Sequence, residues 1–173
     1  MLPKRSIGAE IGVHVGDFSQ LILEYVRPKE LHLIDPWEHQ GAATHERALF
    51  GGVAGDQATM DARYGGVRAR FDRQIRAGSM VVHRACSGPT LAQFPDEYLD
   101  WIYIDGNHLY EGVMEDLELS LKKVKSGGFI TGDDYGRKGW WDDGVRKAVD
   151  EFAAQKRADL LVTRNFQFIF RRF

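Results

Sequence analysis

Residues 100–110 read DWIYIDGNHLY, and this stretch decides how the rest of the chain is interpreted. Residues 101–104 are apolar and either β-branched or aromatic, which is typical of a strand buried on both faces of a parallel sheet. The run ends at Asp105, and His108 follows three residues later. Ligands of open α/β sheets bind outside the carboxyl ends of the strands, so both side chains are placed for chemistry. The simpler interpretation is that Asp105 caps the helix predicted from Tyr110.

A second predicted strand ends in the same way. Residues 127–135 read GGFITGDDY, so Asp133 and Asp134 follow a short apolar run. Adjacent parallel strands end side by side, which would bring these two carboxylates close to Asp105. Crowded carboxylates repel one another, and a bound cation such as Mg²⁺, Ca²⁺ or Mn²⁺ relieves the repulsion. Alternatively, the pair at 133–134 consists of solvated turn residues.

The rest of the chain alternates short apolar runs with segments of helical periodicity. Strands are predicted at residues 7–11, 30–34, 80–84, 101–104, 129–131, 160–163 and 166–170, and helices from residue 18 and at 57–75, 90–94, 110–124 and 140–154. This alternation predicts an α/β fold with a seven-stranded, mostly parallel sheet. The connection at residues 164–165 is too short for a crossover, so the last two strands should form an antiparallel hairpin.

Composition restricts the class of protein. The 173 residues predict a single domain over residues 1–173, and 43% hydrophobic with 28% charged residues is ordinary for a globular protein. A net charge of -2 gives no reason to expect nucleic acid or an acidic membrane as partner. The lone Cys86 and the lack of a long apolar N-terminal stretch predict a cytoplasmic protein with no membrane span.

Residues 38–77 are predicted to form a lid or substrate-recognition insertion. The segment opens with glycine- and alanine-rich runs that are poor material for a fixed core, and then becomes helical at 57–75. Gly65 and Gly66 each cost roughly 1 kcal/mol relative to alanine inside a helix, so a kink or break is expected there. Long connections of this kind in compact α/β domains are usually functional or disordered.

Two further signals lie near the first two strand ends. Residues 10–16 read EIGVHVG, a glycine-bearing turn between a strand and a helix. Such a turn lets a ligand approach the backbone, although it is also a common packing device. Asp35 ends the second strand, where an acid can hydrogen-bond both hydroxyls of a ribose. It could equally be a turn residue before Pro36.

Together these motifs resemble those of the class I S-adenosylmethionine-dependent methyltransferases, which have a Rossmann-like sheet with helices on both faces. Within that class the chain is similar to small-molecule O-methyltransferases related to macrocin O-methyltransferase and, more distantly, to catechol O-methyltransferase. The most specific parts are residues 104–113, IDGNHLYEGV, and residues 127–135. The resemblance extends from Glu10 to the final hairpin.

The resemblance implies S-adenosylmethionine as the cofactor. The family motif E-x-G-x-x-x-G would wrap the methionine part, Asp35 would bind the ribose, and Ser87 falls where such proteins contact the adenine. The residues that this comparison assigns to the cofactor are Glu10, Gly12, His14, Gly16, Asp35, Ser87 and Asp105.

The resemblance also implies chemistry at the other strand tips. Asp105, Asp133 and Asp134 match the family's ligands for a divalent metal, with Mg²⁺ expected. The metal would hold two oxygens of the acceptor and lower the pKa of the attacking hydroxyl. His108, with Asp105, is a candidate catalytic residue: it acts either as the base or by orienting Asp105. The expected reaction is O-methylation of a sugar, phenolic or natural-product acceptor.

The chain departs from the family in lacking N-terminal helices that often help to form the acceptor pocket. Acceptor recognition would then fall to residues 37–75, to residues 135–141, or to the second subunit of a homodimer. Trp140 and Trp141 could stack on an acceptor or could pack in the core or an interface. One alternative function is a non-catalytic cofactor-binding module on the same fold. A nicotinamide oxidoreductase is disfavoured because His14 stands where its fingerprint needs a glycine.

Overall fold

The computed structural model describes residues 2–41, 43–155 and 157–173. Within these residues the elements run β1 (Ile7–Ile11), α1 (Asp17–Tyr25), β2 (Glu30–Ile34), α2 (Gln57–Arg70), α3 (Asp72–Arg76), β3 (Met80–His83), α4 (Ser87–Gln93), β4 (Leu99–Ile104), α5 (Tyr110–Lys123), β5 (Val124–Gly132), α6 (Gly144–Ala154), β6 (Ala158–Arg164) and β7 (Gln167–Arg172). Two short 3-10 turns, Ala43–His45 and Gly52–Ala54, lie between β2 and α2. None of the helices in the described residues is long and apolar enough to cross a membrane.

The strands form one seven-stranded sheet in the order β3-β2-β1-β4-β5-β7-β6. β1 to β5 pair in parallel, and β7 pairs antiparallel with both β5 and β6. The predicted mostly parallel sheet with its C-terminal hairpin is therefore confirmed. Strand order reverses between β1 and β4, and in such sheets the crevice at that reversal is where ligands bind.

Helices cover both faces of the sheet, as predicted. In β4, Trp101 packs in the core on the side of α1 and α2, and its neighbour Ile102 packs in the core on the side of α5 and α6. Both side chains are fully buried because successive residues of a strand point to opposite faces. Gly8 on β1 makes room for the indole, since a Cβ there would lie 2.1 Å from the Trp101 ring.

The expected kink at Gly65 and Gly66 is wrong. α2 runs through both glycines without a break, and the chain changes direction only at Phe71, before α3. Buried Met60, Val67 and Phe71 fix α2 against the core, so tertiary packing overrides the weak helix propensity of the glycines. About a third of the segment predicted as a lid, the 14 residues of α2, is thus a packed helix.

Two further boundaries differ from the prediction. The helix expected from Trp140 begins at Gly144, because Gly139 and Asp142 form an isolated bridge and Asp142 has a left-handed φ of 53°. β5 starts at Val124 rather than Phe129. The tryptophan pair therefore lies in a loop at the sheet's carboxyl edge instead of on a helix.

Candidate active site at the carboxyl ends of the strands

The turn between β1 and α1 lies directly against the tip of β4. Gly12 has a φ of 84°, and a Cβ at this residue would lie 1.9 Å from the carbonyl oxygen of Asp105. The amide of Asp105 in turn donates to the carbonyl of Ile11 over 2.8 Å. Only glycine permits this approach. The predicted glycine turn and the predicted catalytic strand tip are therefore in contact.

Asp35 ties the end of β2 to the same turn. Its Oδ2 accepts from the amides of Val13 at 2.9 Å and His14 at 3.0 Å, and its Oδ1 accepts from the amide of Trp37 at 2.7 Å. A carboxylate offers about four acceptor positions, so roughly one is free for a ribose hydroxyl. Asp35 therefore holds the glycine turn in place, and its contact with a cofactor ribose stays a prediction.

Glu10 is buried behind the turn rather than facing an open cleft. Only 1% of it is exposed, and its Oε2 accepts a hydrogen bond of 2.6 Å from the hydroxyl of Ser19. Burial raises the pKa of Glu10 to about 8 against the hydrogen bond from Ser19, and the charges of Asp105 and Asp35 add to the rise. Its contribution at neutral pH is therefore that of a neutral, positioned carboxyl group.

A cavity of about 410 Å³ opens where β2 and β3 end. It is lined by Pro36, Trp37, Glu38, Gln57, Arg84, Ala85 and Cys86. Ser87, the expected adenine contact, comes directly after these residues and begins α4. Burial raises the pKa of Asp116, a residue of α5, to about 7, and the hydroxyl of nearby Ser87 acts against this rise. Ser87 lies beside the cavity with its side chain turned toward α5.

A cluster of two carboxylates and an imidazole forms at the tips of β4 and β5. Nε2 of His108 lies 3.2 Å from Oδ1 of Asp105 and 2.9 Å from Oδ2 of Asp134. Donor atoms of these three residues lie within 4.8 Å of one another, a spacing that one metal ion can bridge. We call Asp105, His108 and Asp134 the acid–histidine cluster.

Asp133, the third expected metal ligand, is placed differently. Among the described residues, the three-ligand group at these strand tips consists of Asp105, His108 and Asp134 and leaves Asp133 out. Its amide still bonds the carbonyl of Ile104 in the sheet at 3.2 Å, whereas Asp134 has a left-handed φ of 62° and turns toward His108. Burial raises the pKa of both Tyr103 and Asp105, and the charge of Asp133 adds to both rises, so Asp133 lies near these two side chains although it is outside the three-ligand group in the described residues.

In the acid–histidine cluster, a positive charge on His108 is paired with the negative charges of the carboxylates. Burial alone would lower the pKa of His108, but hydrogen bonds with Asp105 and Asp134 outweigh it and raise that pKa to about 9. Burial likewise acts to raise the pKa of Asp134, yet His108 and Arg137 bring it below its ordinary value. Nε2 of His108 thus carries a proton at neutral pH and pairs with the carboxylates.

The donor set also suits a divalent cation. Oδ1 of Asp134 is buried and makes no hydrogen bond, although Nη1 of Arg137 lies 3.1 Å away. A buried carboxylate oxygen without a hydrogen bond is a group that a cation would satisfy. The site therefore fits a metal through the carboxylates of Asp105 and Asp134, and His108 would join them only after losing the proton on Nε2.

An aromatic wall joins this cluster to residues 38–77. Trp141 stacks on His108 with ring centroids 4.5 Å apart, and Trp140 lies edge-on to Trp141 at 5.7 Å. Trp140 also contacts His45 at 5.3 Å and Phe50 at 5.8 Å. The sequence did not single out His45 and Phe50, because their segment has no periodicity. The one available signal was Phe50 itself, an aromatic residue directly before the small-residue run GGVAG at residues 51–55.

Comparison with known proteins identifies the family. A family described as a methyltransferase domain matches residues 9–135, from β1 to the residue after Asp134. The chain belongs to this methyltransferase family. A sequence relative, an uncharacterised protein of Acanthamoeba polyphaga mimivirus, is 37% identical over 70 residues, covering 40% of this chain and 31% of that protein. The chain spans about a third of the length of the curated relatives that it matches.

Solved structures support the fold of the methyltransferase. A Streptococcus mutans protein assigned as a methyltransferase, in complex with SAH, matches 99% of this chain and 91% of its own at a TM-score of 0.63 and 13% identity. The O-methyltransferase NovP matches 96% of this chain and 72% of its own at a TM-score of 0.66 and 20% identity. Because both identities are low, these two structures establish the Rossmann-like fold alone and do not identify the acceptor.

Proposed function

We propose that this methyltransferase transfers the methyl group of S-adenosylmethionine to a hydroxyl of a small molecule. The observation that carries the proposal is the contact between Gly12 and the carbonyl of Asp105. Through it, the turn that would hold the cofactor lies against the acid–histidine cluster that would receive the acceptor's proton. Methyl donor and acceptor hydroxyl would meet in the crevice between β1 and β4, with both groups oriented before reaction.

The cofactor would be held mainly by the backbone of the β1–α1 turn and by Asp35. The glycines let it approach the main chain, and the free acceptor position of Asp35 suits a ribose hydroxyl. The cavity beside Trp37 and Arg84 would take the adenine, with a volume of about 410 Å³. When bound, S-adenosylmethionine supplies the methyl group on a positively charged sulfonium, which a negative charge on nearby Asp105 would suit electrostatically.

The proton of the acceptor hydroxyl would pass to the acid–histidine cluster. Asp105 is the most exposed member at its side chain, 36%, against 16% for His108 and 9% for Asp134. Burial raises the pKa of Asp105, which makes it a stronger base than an ordinary aspartate. His108 would hold Asp105 in place and balance the charge of a developing alkoxide. His108 is thus favoured as an orienting partner over a base acting alone.

A divalent cation, Mg²⁺ first among the candidates, is proposed as a second cofactor. Asp105 and Asp134 would hold it, and it would polarise the acceptor hydroxyl. The imidazolium of His108 already supplies part of that positive charge, so the cluster can stabilise an oxyanion by either route. Turnover with and without Mg²⁺ distinguishes the route through the cation from the route through the imidazolium.

The aromatic wall favours a small planar or ring-shaped acceptor. Trp140 and Trp141 offer ring faces and edges beside His108, where an acceptor ring could pack. The net charge of -2 offers no electrostatic reason for nucleic acid as the acceptor. A cytoplasmic location and a homodimer that completes the acceptor pocket remain part of this proposal.

The alternative is a module that binds S-adenosylmethionine without turnover. The specific observation in its favour is that His108 is already engaged by two carboxylates, which leaves its Nε2 without a free position. Under this alternative the cofactor still binds, but the acid–histidine cluster has a structural role.

The experiment is a calorimetric titration with S-adenosylmethionine, with and without Mg²⁺, on chelator-treated protein, followed by an acceptor screen that detects the demethylated cofactor. Asp105→Ala should lose metal-dependent turnover while retaining most of the affinity for S-adenosylmethionine. Asp159→Ala changes an exposed aspartate of β6 and serves as the matched control. Turnover that survives Asp105→Ala removes this residue from the mechanism. Failure of the wild type to bind the cofactor overturns the enzyme proposal.

A further inference from the structure

The helix α2 contacts both turns that the proposed function assigns to the cofactor. We propose that α2 is a brace that sets cofactor affinity, with Asp61 and Arg70 as positioning residues at its two ends. The inference rests on the proposed function but assigns a role to residues outside the cofactor motifs. It also replaces the expected lid, for residues 57–70, with a fixed element.

The first end of the brace holds the residues that follow β2. Nε2 of Gln57 donates to the carbonyl of Trp37 at 2.9 Å, and Oε1 of Gln57 accepts from the amide of His39 at 2.9 Å. The same Nε2 donates to Oδ1 of Asp61 at 3.0 Å. One side chain of α2 thus fixes the backbone on which the wall of the cavity is built.

Asp61 extends this end to the turn after β3. It forms an ion pair with Arg84, which also donates to the carbonyl of Trp37 at 3.3 Å. The guanidinium of Arg84 lies 4.8 Å above the ring of Tyr64, and that ring packs against the indole of Trp37 at 5.2 Å. Arg84, Trp37 and Gln57 all line the cavity of about 410 Å³, so Asp61 acts on the cavity through its neighbours.

The second end of the brace holds the glycine turn. Nη1 of Arg70 donates to Oδ1 of Asp17 at 2.6 Å and to the carbonyl of Val15 at 3.3 Å. The Phe71 ring packs so closely on Gly16 that a Cβ there would lie 2.7 Å from it. The two ends of α2 therefore contact the two walls between which the cofactor would lie.

The polar contacts of the brace are too exposed to serve mainly as stabilisers. The Asp61 side chain is 53% exposed and that of Arg84 is 36% exposed, while Asp17 is 78% exposed. Pairs this exposed contribute little to folding, and the buried apolar face of α2 anchors the helix. Their removal should consequently change the position of the two turns more than it changes stability.

The test compares Asp61→Asn and Arg70→Gln with the wild type by calorimetric titration of S-adenosylmethionine and by urea unfolding. Each variant should bind the cofactor about three- to tenfold more weakly, with a small change in unfolding midpoint. Asp72→Asn is the matched control, because it breaks an exposed ion pair of 2.9 Å with Arg76 inside α3, and in the described residues the Asp72 carboxylate makes no hydrogen bond to either turn. It should cause the same small change in midpoint and leave cofactor affinity unchanged. Asp61→Glu keeps the charge and should restore most of the lost affinity.

Three results would overturn the brace. The first is unchanged cofactor affinity in Asp61→Asn and Arg70→Gln, and the second is an equal loss of affinity in Asp72→Asn. The third is a loss of affinity that occurs only together with a large drop in stability. If the wild type binds no cofactor, the proposed function is overturned. This outcome is distinct from failure of the brace, because it is seen in the wild type alone and needs no variant. Hydrogen exchange on the cofactor-free protein then decides the structural part: faster exchange at residues 84–87 in Asp61→Asn and at residues 13–17 in Arg70→Gln supports the brace, and unchanged exchange refutes it.

Discussion

Nε2 of His108 lies 2.9 Å from Oδ2 of Asp134, and this contact joins the loop after β4 to the tip of β5. His108 and Asp134 are 26 positions apart in the chain, and this contact makes them parts of one polar cluster with Asp105. The adjacent Asp133 is outside that group in the described residues. This difference between neighbouring aspartates leads to the first prediction.

Asp134→Asn should weaken binding of Mn²⁺ or Mg²⁺ by about tenfold or more, because it removes a buried carboxylate whose donor atoms are grouped with those of Asp105 and His108. Asp133→Asn is the matched control and should weaken binding by less than about threefold. The measurement is calorimetric titration of the metal ion into chelator-treated protein. An equal loss in both variants would favour the set of three aspartates that the sequence suggests.

Glu10→Gln should change how stability depends on pH. Burial raises the pKa of Glu10 from 4.5 to about 8, so between these values the folded chain holds a proton that the unfolded chain has lost. This group's contribution to the free energy of unfolding therefore falls as the pH rises from about 4.5 to about 8. The variant lacks this titration and should become more stable relative to the wild type, by on the order of 1–3 kcal/mol, toward pH 8.5. Urea unfolding from pH 5 to 8.5 measures the difference, and two parallel curves would contradict the pKa of Glu10.

The histidine pair at the β2–β3 edge should make the protein sensitive to acid. Nδ1 of His32 lies 3.0 Å from Nε2 of His83, and burial followed by the charge of His83 lowers the pKa of His32 from 6.5 to about 4. Burial also lowers the pKa of His83. In the unfolded chain these rings take up protons from about pH 6.5, so stability is lost as the pH falls toward 4.

His83→Gln is the variant that tests this pair. It keeps a hydrogen-bonding side chain and removes the like charge facing His32, while Glu30 and Tyr98 remain on the other side of that ring. The loss of unfolding free energy between pH 7 and pH 4.5 should be smaller than in the wild type. If His83→Gln loses stability with the same slope, the pair is not responsible for the acid sensitivity.

Gly65→Ala and Gly66→Ala should each stabilise the protein by about 0.5–1 kcal/mol. Both glycines are inside α2, and a Cβ at either would meet nothing within 4 Å. Alanine restricts the unfolded chain and has a higher helix propensity, without a steric penalty here. Gly112→Ala in α5 is the control, because its Cβ would lie 2.9 Å from the side chain of Asn107 and should bring no such gain. Thermal unfolding of the three variants gives the answer, and no gain at residues 65 and 66 would show that α2 is strained there.

Much of the fold follows from local patterns. Residues 101–104 are apolar at every position, so they can only be buried on both faces, and β4 is indeed the central strand between β1 and β5. The tight turn at residues 164–165 requires an antiparallel hairpin, which the structure contains. The course of α2 could not be foreseen from Gly65 and Gly66, because helix propensity differs by only about 1 kcal/mol per residue and burial of Phe71 and its neighbours outweighs it.

The candidate site divides in the same way. The sequence by itself determined which residues end the strands, since a short apolar run followed by Asp105 or by Asp133 and Asp134 marks the carboxyl edge of a parallel sheet. The tertiary structure decided which of the two adjacent aspartates meets His108, because the left-handed φ of 62° at Asp134 turns only that side chain toward the imidazole. It also decided that His45 and Phe50 reach Trp140, and that α2 contacts both the β1–α1 turn and the residues that follow β2. Periodicity reports which face of an element is buried, whereas contacts between distant loops depend on backbone geometry and packing that no local pattern encodes.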